Sequence, residues 1–252
     1  MGVSVTKRIG QIKQPRGGYL NPKDLEIVQL TSKGGLKKEN VSPSLVGLAV
    51  DYLTRFSITK NAKDAFRISL IGAKIGGYTK EADGLLKNIR LPLDEEAVIS
   101  AIRLSGYDVL YRAGPMGYRP VHEIVPDKNT ITNILEMVNR SLDFFEQYGP
   151  ITKDGFDFET KGYTTTVSAG DGDFLTKDTL WDFKVSEKEP TNKQTLQLLM
   201  YWIMGLHSLK PEFKAIKKVG IFNPRLNIVF TYDLKNISKE TIKDIEDNVI
   251  CY

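Results

Sequence analysis

Cysteine is almost missing from this chain: its 252 residues hold one, Cys251. A lone thiol excludes an intramolecular disulfide and any zinc or iron–sulfur site built on cysteines, and it fits a reducing compartment. Long apolar runs are missing too. No stretch reaches the roughly 18 apolar residues that would cross a bilayer, and the opening MGVSVTKRIGQIKQPRGGY has basic residues but no apolar signal-peptide core, so a cytoplasmic protein without membrane association is expected. There is no Gly-x-x-x-x-Gly-Lys-[Ser/Thr] run and hence no P-loop; Gly72-Ala73-Lys74-Ile75-Gly76-Gly77 does not follow a strand. Without Gly-x-Ser-x-Gly, and with Cys251 nearly terminal, a serine or cysteine hydrolase has no support. Charge of one sign is scarce as well. Lys plus Arg (35) against Asp plus Glu (31) leaves +4, which permits local basic surfaces but demands no nucleic-acid partner.

What is present reads as an ordinary globular chain, 41% hydrophobic and 26% charged. Residues 1–40 carry Lys7, Arg8, Lys13, Arg16, Lys37 and Lys38 between the pairs Gly17-Gly18 and Gly34-Gly35. They predict a basic, mostly irregular arm with one short strand at Leu25–Leu30. Residues 41–125 predict a helical region. Ser42 caps and Pro43 opens its first helix, where Leu45, Leu48, Ala49, Tyr52, Leu53 and Phe56 recur at helical spacing. Further helices are expected over Ala62–Ile75, Lys80–Ile89 and Asp94–Arg103, then a long one from a Thr130 cap to Tyr148. After Gly149-Pro150 the period changes from 3.6 to 2. Strands are predicted at Tyr163–Ser168, Gly172–Leu175 and Leu180–Val185, a helix at Asn192–Ser208, strands at Lys218–Phe222 and Leu226–Tyr232, and a closing helix at Lys239–Asn248. Residues 126–252 are thus expected to form a mixed α/β core.

The chemistry concentrates in Gly170-Asp171-Gly172-Asp173-Phe174 and Leu180-Trp181-Asp182-Phe183-Lys184-Val185. Strand side chains alternate between faces, so Asp182 and Lys184 point one way and Trp181, Phe183 and Val185 the other, into a core. Asp173, nine positions before Asp182, lies close enough to the intervening turn for a hairpin to set the two carboxylates side by side. Such a pair repels itself unless a cation sits between. Oxygen ligands without soft partners select Mg²⁺ or Mn²⁺, and a lysine two residues from a ligating aspartate can orient a water or stabilise charge on phosphorus. The plain alternative is a surface ion pair between Asp182 and Lys184 at a sheet edge, worth little.

Asp173 followed by Asp182-Phe183-Lys184 resembles the Asp…(Asp/Glu)-x-Lys signature of the PD-(D/E)XK nuclease superfamily. Gln197-Leu198-Leu199-Met200-Tyr201 is similar to the Gln-x-x-x-Tyr motif of its RecB-like and Cas4-like branch. The likeness covers about residues 160–232. It implies a central mixed sheet flanked by helices and a Mg²⁺- or Mn²⁺-dependent nuclease, with Asp173 and Asp182 holding metal and Lys184 completing the catalytic set. Gln197 and Tyr201, with Gln194 one turn earlier, would contact the substrate strand. DNA is the implied substrate, with RNA open. Relatives in that branch usually carry a metal-binding His in an early helix; here Asp51 and His122 are the candidates for that ligand, with Glu136 and Asp143 as weaker ones. The helical region would serve as lid, clamp or protein-docking surface. The alternative expectation is a nucleic-acid-binding or regulatory protein that keeps the fold without cleaving.

Overall fold

A computed structural model describes residues 2–31 and 34–252; Met1, Ser32 and Lys33 of the N-terminal arm lie outside the described residues. In chain order the elements are β1 (Val3–Ser4), α1 (Val5–Gln11), β2 (Glu26–Gln29), α2 (Pro43–Thr59), α3 (Ala62–Ala65), α4 (Arg67–Gly76), α5 (Thr79–Asn88), α6 (Glu95–Ser105), α7 (Asp108–Arg112) and α8 (Lys128–Tyr148). There follow β3 (Lys153–Phe156), β4 (Val167–Ala169), β5 (Gly172–Leu175), β6 (Thr179–Phe183), α9 (Asn192–His207), β7 (Lys218–Asn223), β8 (Ile228–Asp233) and α10 (Lys239–Asp244). The chain divides into two compact units, one made of Met1–Leu30 with Phe145–Tyr252, the other of Thr31–Phe144.

The first unit is mixed α/β. Its six-stranded sheet has the order β2-β8-β7-β6-β5-β3, with β6 and β7 parallel and every other neighbouring pair antiparallel. The parallel pair needs a crossover, and α9 supplies it. The helix lays Leu196, Leu199, Met200 and Ile203 in a buried core with Leu175, Leu180, Val219 and Ile221 of the sheet. On the opposite sheet face Trp181 stacks with Phe174 and meets Tyr148 edge-on, while Phe145 meets Phe174. β5 and β6 are therefore covered on both faces. Their short turn is tied by Trp181 Nε1, which donates to Thr176 Oγ1 at 3.0 Å.

Several expected elements shift, each for a local reason. The strand expected at Tyr163–Ser168 shrinks to β4, which pairs in parallel with β1 outside the main sheet. Thr164 Oγ1 accepts from the amides of Thr166 and Val167 and donates to the Ile250 carbonyl, so the threonines close a turn instead of extending a ladder. The sheet's outer strand is β3, which contains Gly155 at φ 63°. The arm holds a helix, α1, capped by Ser4 and buried through Val5 and Ile9. The strand expected near Leu25–Leu30 is β2.

The second unit is helical among its described residues. Ser42 caps α2 with Pro43 in the first turn, as read from the sequence. The helix expected over Ala62–Ile75 breaks at buried Phe66 (φ −99°, ψ 20°). α8 begins before Thr130: Asp127 Oδ1 accepts from the Thr130 amide at 2.8 Å, and Asn40 accepts from the Thr130 hydroxyl. α4 and α7 cross so closely that a Cβ on Gly72 would lie 2.1 Å from the Tyr107 carbonyl oxygen. Because that neighbour is backbone, it cannot swing aside. Gly72→Ala should destabilise the protein by about 1–3 kcal/mol, read as a lower urea midpoint; an unchanged midpoint would show that α4 and α7 separate without cost.

Candidate functional site

The β5–β6 hairpin pairs Phe174 with Trp181 and Leu175 with Leu180. Continued by one residue, that register sets Asp173 opposite Asp182, on the face covered by α9. Asp173 Oδ2 accepts from the Phe183 amide at 2.7 Å, which holds its carboxylate against β6. Lys184, one residue past β6, keeps the strand direction because its amide donates to the Phe222 carbonyl. Alternation then returns its ammonium to the Asp182 side, where Nζ donates to Asp182 Oδ1 at 2.9 Å.

β6 lies inside the sheet, between β5 and β7, and Asp182 is 3% exposed. The Asp182–Lys184 pair is therefore not an edge contact on the surface. Asp182 Oδ2 is buried and has no hydrogen-bond partner among the described residues. Burial pushes the Asp182 pKa above the ordinary carboxylate range; Lys184 opposes the rise and the Asp173 charge adds to it.

α9 brings its own polar pair to the same place. The helix starts at a capping box in which the Thr191 hydroxyl receives backbone N–H and Gln194 Oε1 accepts from the Thr191 amide at 2.8 Å. One turn on, Gln197 Nε2 donates to the Tyr201 hydroxyl at 2.8 Å. Burial raises the Tyr201 pKa most; the Gln197 bond lowers it, and the charges of Asp182, Asp173 and Asp171 raise it further. The phenol thus lies within the field of these carboxylates. Of the residues singled out from sequence, Asp173, Asp182, Lys184, Gln197 and Tyr201 share one locality. Gln194 sits on the same helix with its carbonyl oxygen engaged by the cap.

Asp51 and His122 belong to the second unit. Asp51 accepts from Arg55 Nε at 2.9 Å one turn along α2, and His122 lies in a 3₁₀ turn at Val121–Glu123. Glu136 accepts from Arg140 Nε at 3.0 Å on α8. Among the described residues no group of three His, Cys, Asp or Glu side chains is arranged to hold a metal ion. The two facing carboxylates do fit a hard divalent cation in kind: oxygen donors only, one of them buried and unanswered. Asp171 is exposed just before β5, and its charge, like those of Asp182 and Asp173, raises the Tyr201 pKa.

No protein-family model, curated protein or solved structure matches this chain.

A buried carboxylate with one unanswered oxygen favours its neutral form, and the sign of the linkage follows. With the folded-state pKa raised, the stability gained by keeping Asp182 protonated is present below the usual aspartate pKa and is lost as pH climbs through the elevated one. Asp182→Asn, measured in EDTA, should therefore be more stable than the parent at pH 8, by roughly 1–2 kcal/mol, and its advantage should shrink towards pH 4. Equal thermal midpoints for the two proteins at pH 8 would contradict the burial of this charge.

Proposed function

We propose that this protein is a divalent-metal-dependent nuclease of the PD-(D/E)XK type, hydrolysing phosphodiester bonds of DNA. The observation that carries this reading is the buried, unpartnered Oδ2 of Asp182, set beside Asp173 and Lys184 within a covered sheet. Folded proteins seldom leave a carboxylate oxygen buried and unanswered, because the penalty amounts to several kcal/mol per ion. Such an atom is kept when something else completes it, and a cation does so.

Asp173 and Asp182 would hold Mg²⁺ or Mn²⁺. A bound ion of this kind supplies Lewis acidity to a phosphoryl oxygen and lowers the pKa of water. Lys184, held at the carboxylates by its bond to Asp182, would orient the attacking water and stabilise negative charge gathering on phosphorus. The Lys184 side chain is partly exposed, so its ammonium would reach a phosphate from the pair it already makes. Gln197 would present its amide to the substrate strand, and Tyr201, itself buried, would hold that amide in place. The buried Tyr201 hydroxyl, with its raised pKa, stays neutral and serves as a hydrogen-bonding group, not as a base.

The test is a panel of single-stranded, linear duplex and circular duplex DNA with Mg²⁺, with Mn²⁺ and with EDTA. The parent should cleave at least one substrate only with metal. Asp182→Ala should abolish cleavage while leaving the circular dichroism spectrum intact, and Lys184→Ala should slow it by about 10²-fold or more. Undiminished cleavage by Asp182→Ala would remove the mechanism. DNA binding without metal-dependent cleavage by the parent would replace the enzyme with a non-cleaving binder built on the same fold.

A further inference from the structure

The second unit holds a cavity of about 750 Å³, a size suited to a small organic ligand. Its wall combines apolar side chains, Leu45, Leu48, Val109 and Ile124 among them, with two arginines, Arg112 and Arg119. Arg112 is braced from behind. Asp108, 2% exposed, receives the Tyr52 hydroxyl at 2.6 Å and the Ser69 hydroxyl at 2.5 Å, and its Oδ2 also takes Arg112 Nε at 3.4 Å. The Tyr52 hydroxyl and Arg112 Nε thus share Asp108 Oδ2 as their acceptor. One edge of the fork is thereby fixed, while the Arg112 side chain is still 57% exposed.

Fixing one edge of a guanidinium aims the remaining N–H groups, the arrangement that recognises a planar or tetrahedral oxyanion through two parallel bonds. Asp108 offsets one unit of positive charge at this end, so an incoming oxyanion is recognised by the directed N–H groups of Arg112 and not by a net positive field. Glu123 is the one other acid among the described residues of the wall. The N–H groups that Arg112 and Arg119 bring to this wall suit an oxyanion better than a cation, and the apolar wall takes a flat or aliphatic body attached to it.

We propose that this cavity binds a phosphomonoester carried on an apolar body, with nucleoside 5′-monophosphates as the members that match its size. Arg112 and Arg119 hold the phosphate, and the Leu45, Leu48, Val109 and Ile124 surface receives the base and sugar. Tyr52 and Asp108 act as positioning residues through Arg112. The site is independent of the carboxylate pair on the sheet and of the nuclease reading.

Isothermal titration of the full chain with the four common nucleoside 5′-monophosphates, in EDTA so that no divalent ion serves the carboxylates, tests this directly. At least one should bind saturably with one site per chain, and its nucleoside, lacking phosphate, should bind at least tenfold more weakly. Arg112→Gln and Arg119→Gln should each weaken binding tenfold or more. Tyr52→Phe, which keeps the ring and removes the bracing hydroxyl, should weaken it by a smaller factor. Asp182→Asn should bind like the parent. Absence of saturable binding by all four nucleotides would overturn the proposal, as would parental affinity in a folded Arg112→Gln/Arg119→Gln double variant. Loss of binding in Asp182→Asn alone would move the nucleotide to the sheet and overturn it as well.

Discussion

A buried carboxylate that its neighbours satisfy at only one oxygen is the constraint around which the first unit is organised. Asp182 stands on an interior strand, with Lys184 answering one oxygen and nothing among the described residues answering the other. Left alone, such a group would pull its strand towards water. It stays because its neighbours fix the strand from the opposite face: Trp181 is wedged between Phe174 and Tyr148, and Phe183 packs against Phe222. Apolar burial at about 25 cal/mol per Å² makes each of these rings worth several kcal/mol. The aromatic face and the charged face of β6 are two halves of one device, in which packing on one side holds the strain on the other.

The same logic explains the order of elements. A lysine two residues beyond Asp182 shares its face by strand alternation, and the antiparallel hairpin delivers Asp173 without any long connection. The parallel step from β6 to β7 obliges the chain to cross over, and the crossover helix α9 then covers the very face that carries the charges. Gln197 and Tyr201 are brought there by topology and by helical spacing. The N-terminal segment joins this unit through β2 at one sheet edge and through β1 against β4. Residues 31–144 intervene in sequence, and the described ones among them pack as a helical unit of their own.

Much of this was legible from residues alone, wherever a pattern had a single physical reading. Alternation around Asp182 placed its faces correctly because large aromatics cannot be left in water on both sides of a strand. The Ser42-Pro43 start of α2 is visible because Pro is tolerated only in the first turn. Composition misled where a second use of the same side chain competed. The β-branched run at Tyr163–Ser168 looks like a strand, yet its Thr164 hydroxyl bonds the local backbone and closes a turn. Lys153–Phe156 looks like a loop because it is charged and contains glycine, yet a sheet edge accepts both. α1 has only Val5 and Ile9 to announce it, too few apolar positions for periodicity to register. At the site, facing carboxylates and the lysine could be read from spacing. The orphaned state of Asp182 Oδ2 could not, since it depends on how neighbouring strands and α9 exclude every other donor.

The most direct measurement is a Mn²⁺ titration followed by electron paramagnetic resonance on the full chain at neutral pH. The account requires one saturable Mn²⁺ per chain in the parent, with that occupancy lost when either Asp173 or Asp182 is changed to asparagine. Parental Mn²⁺ binding in both variants, or none in the parent, would contradict the idea that the buried oxygen of Asp182 is held in readiness for a cation.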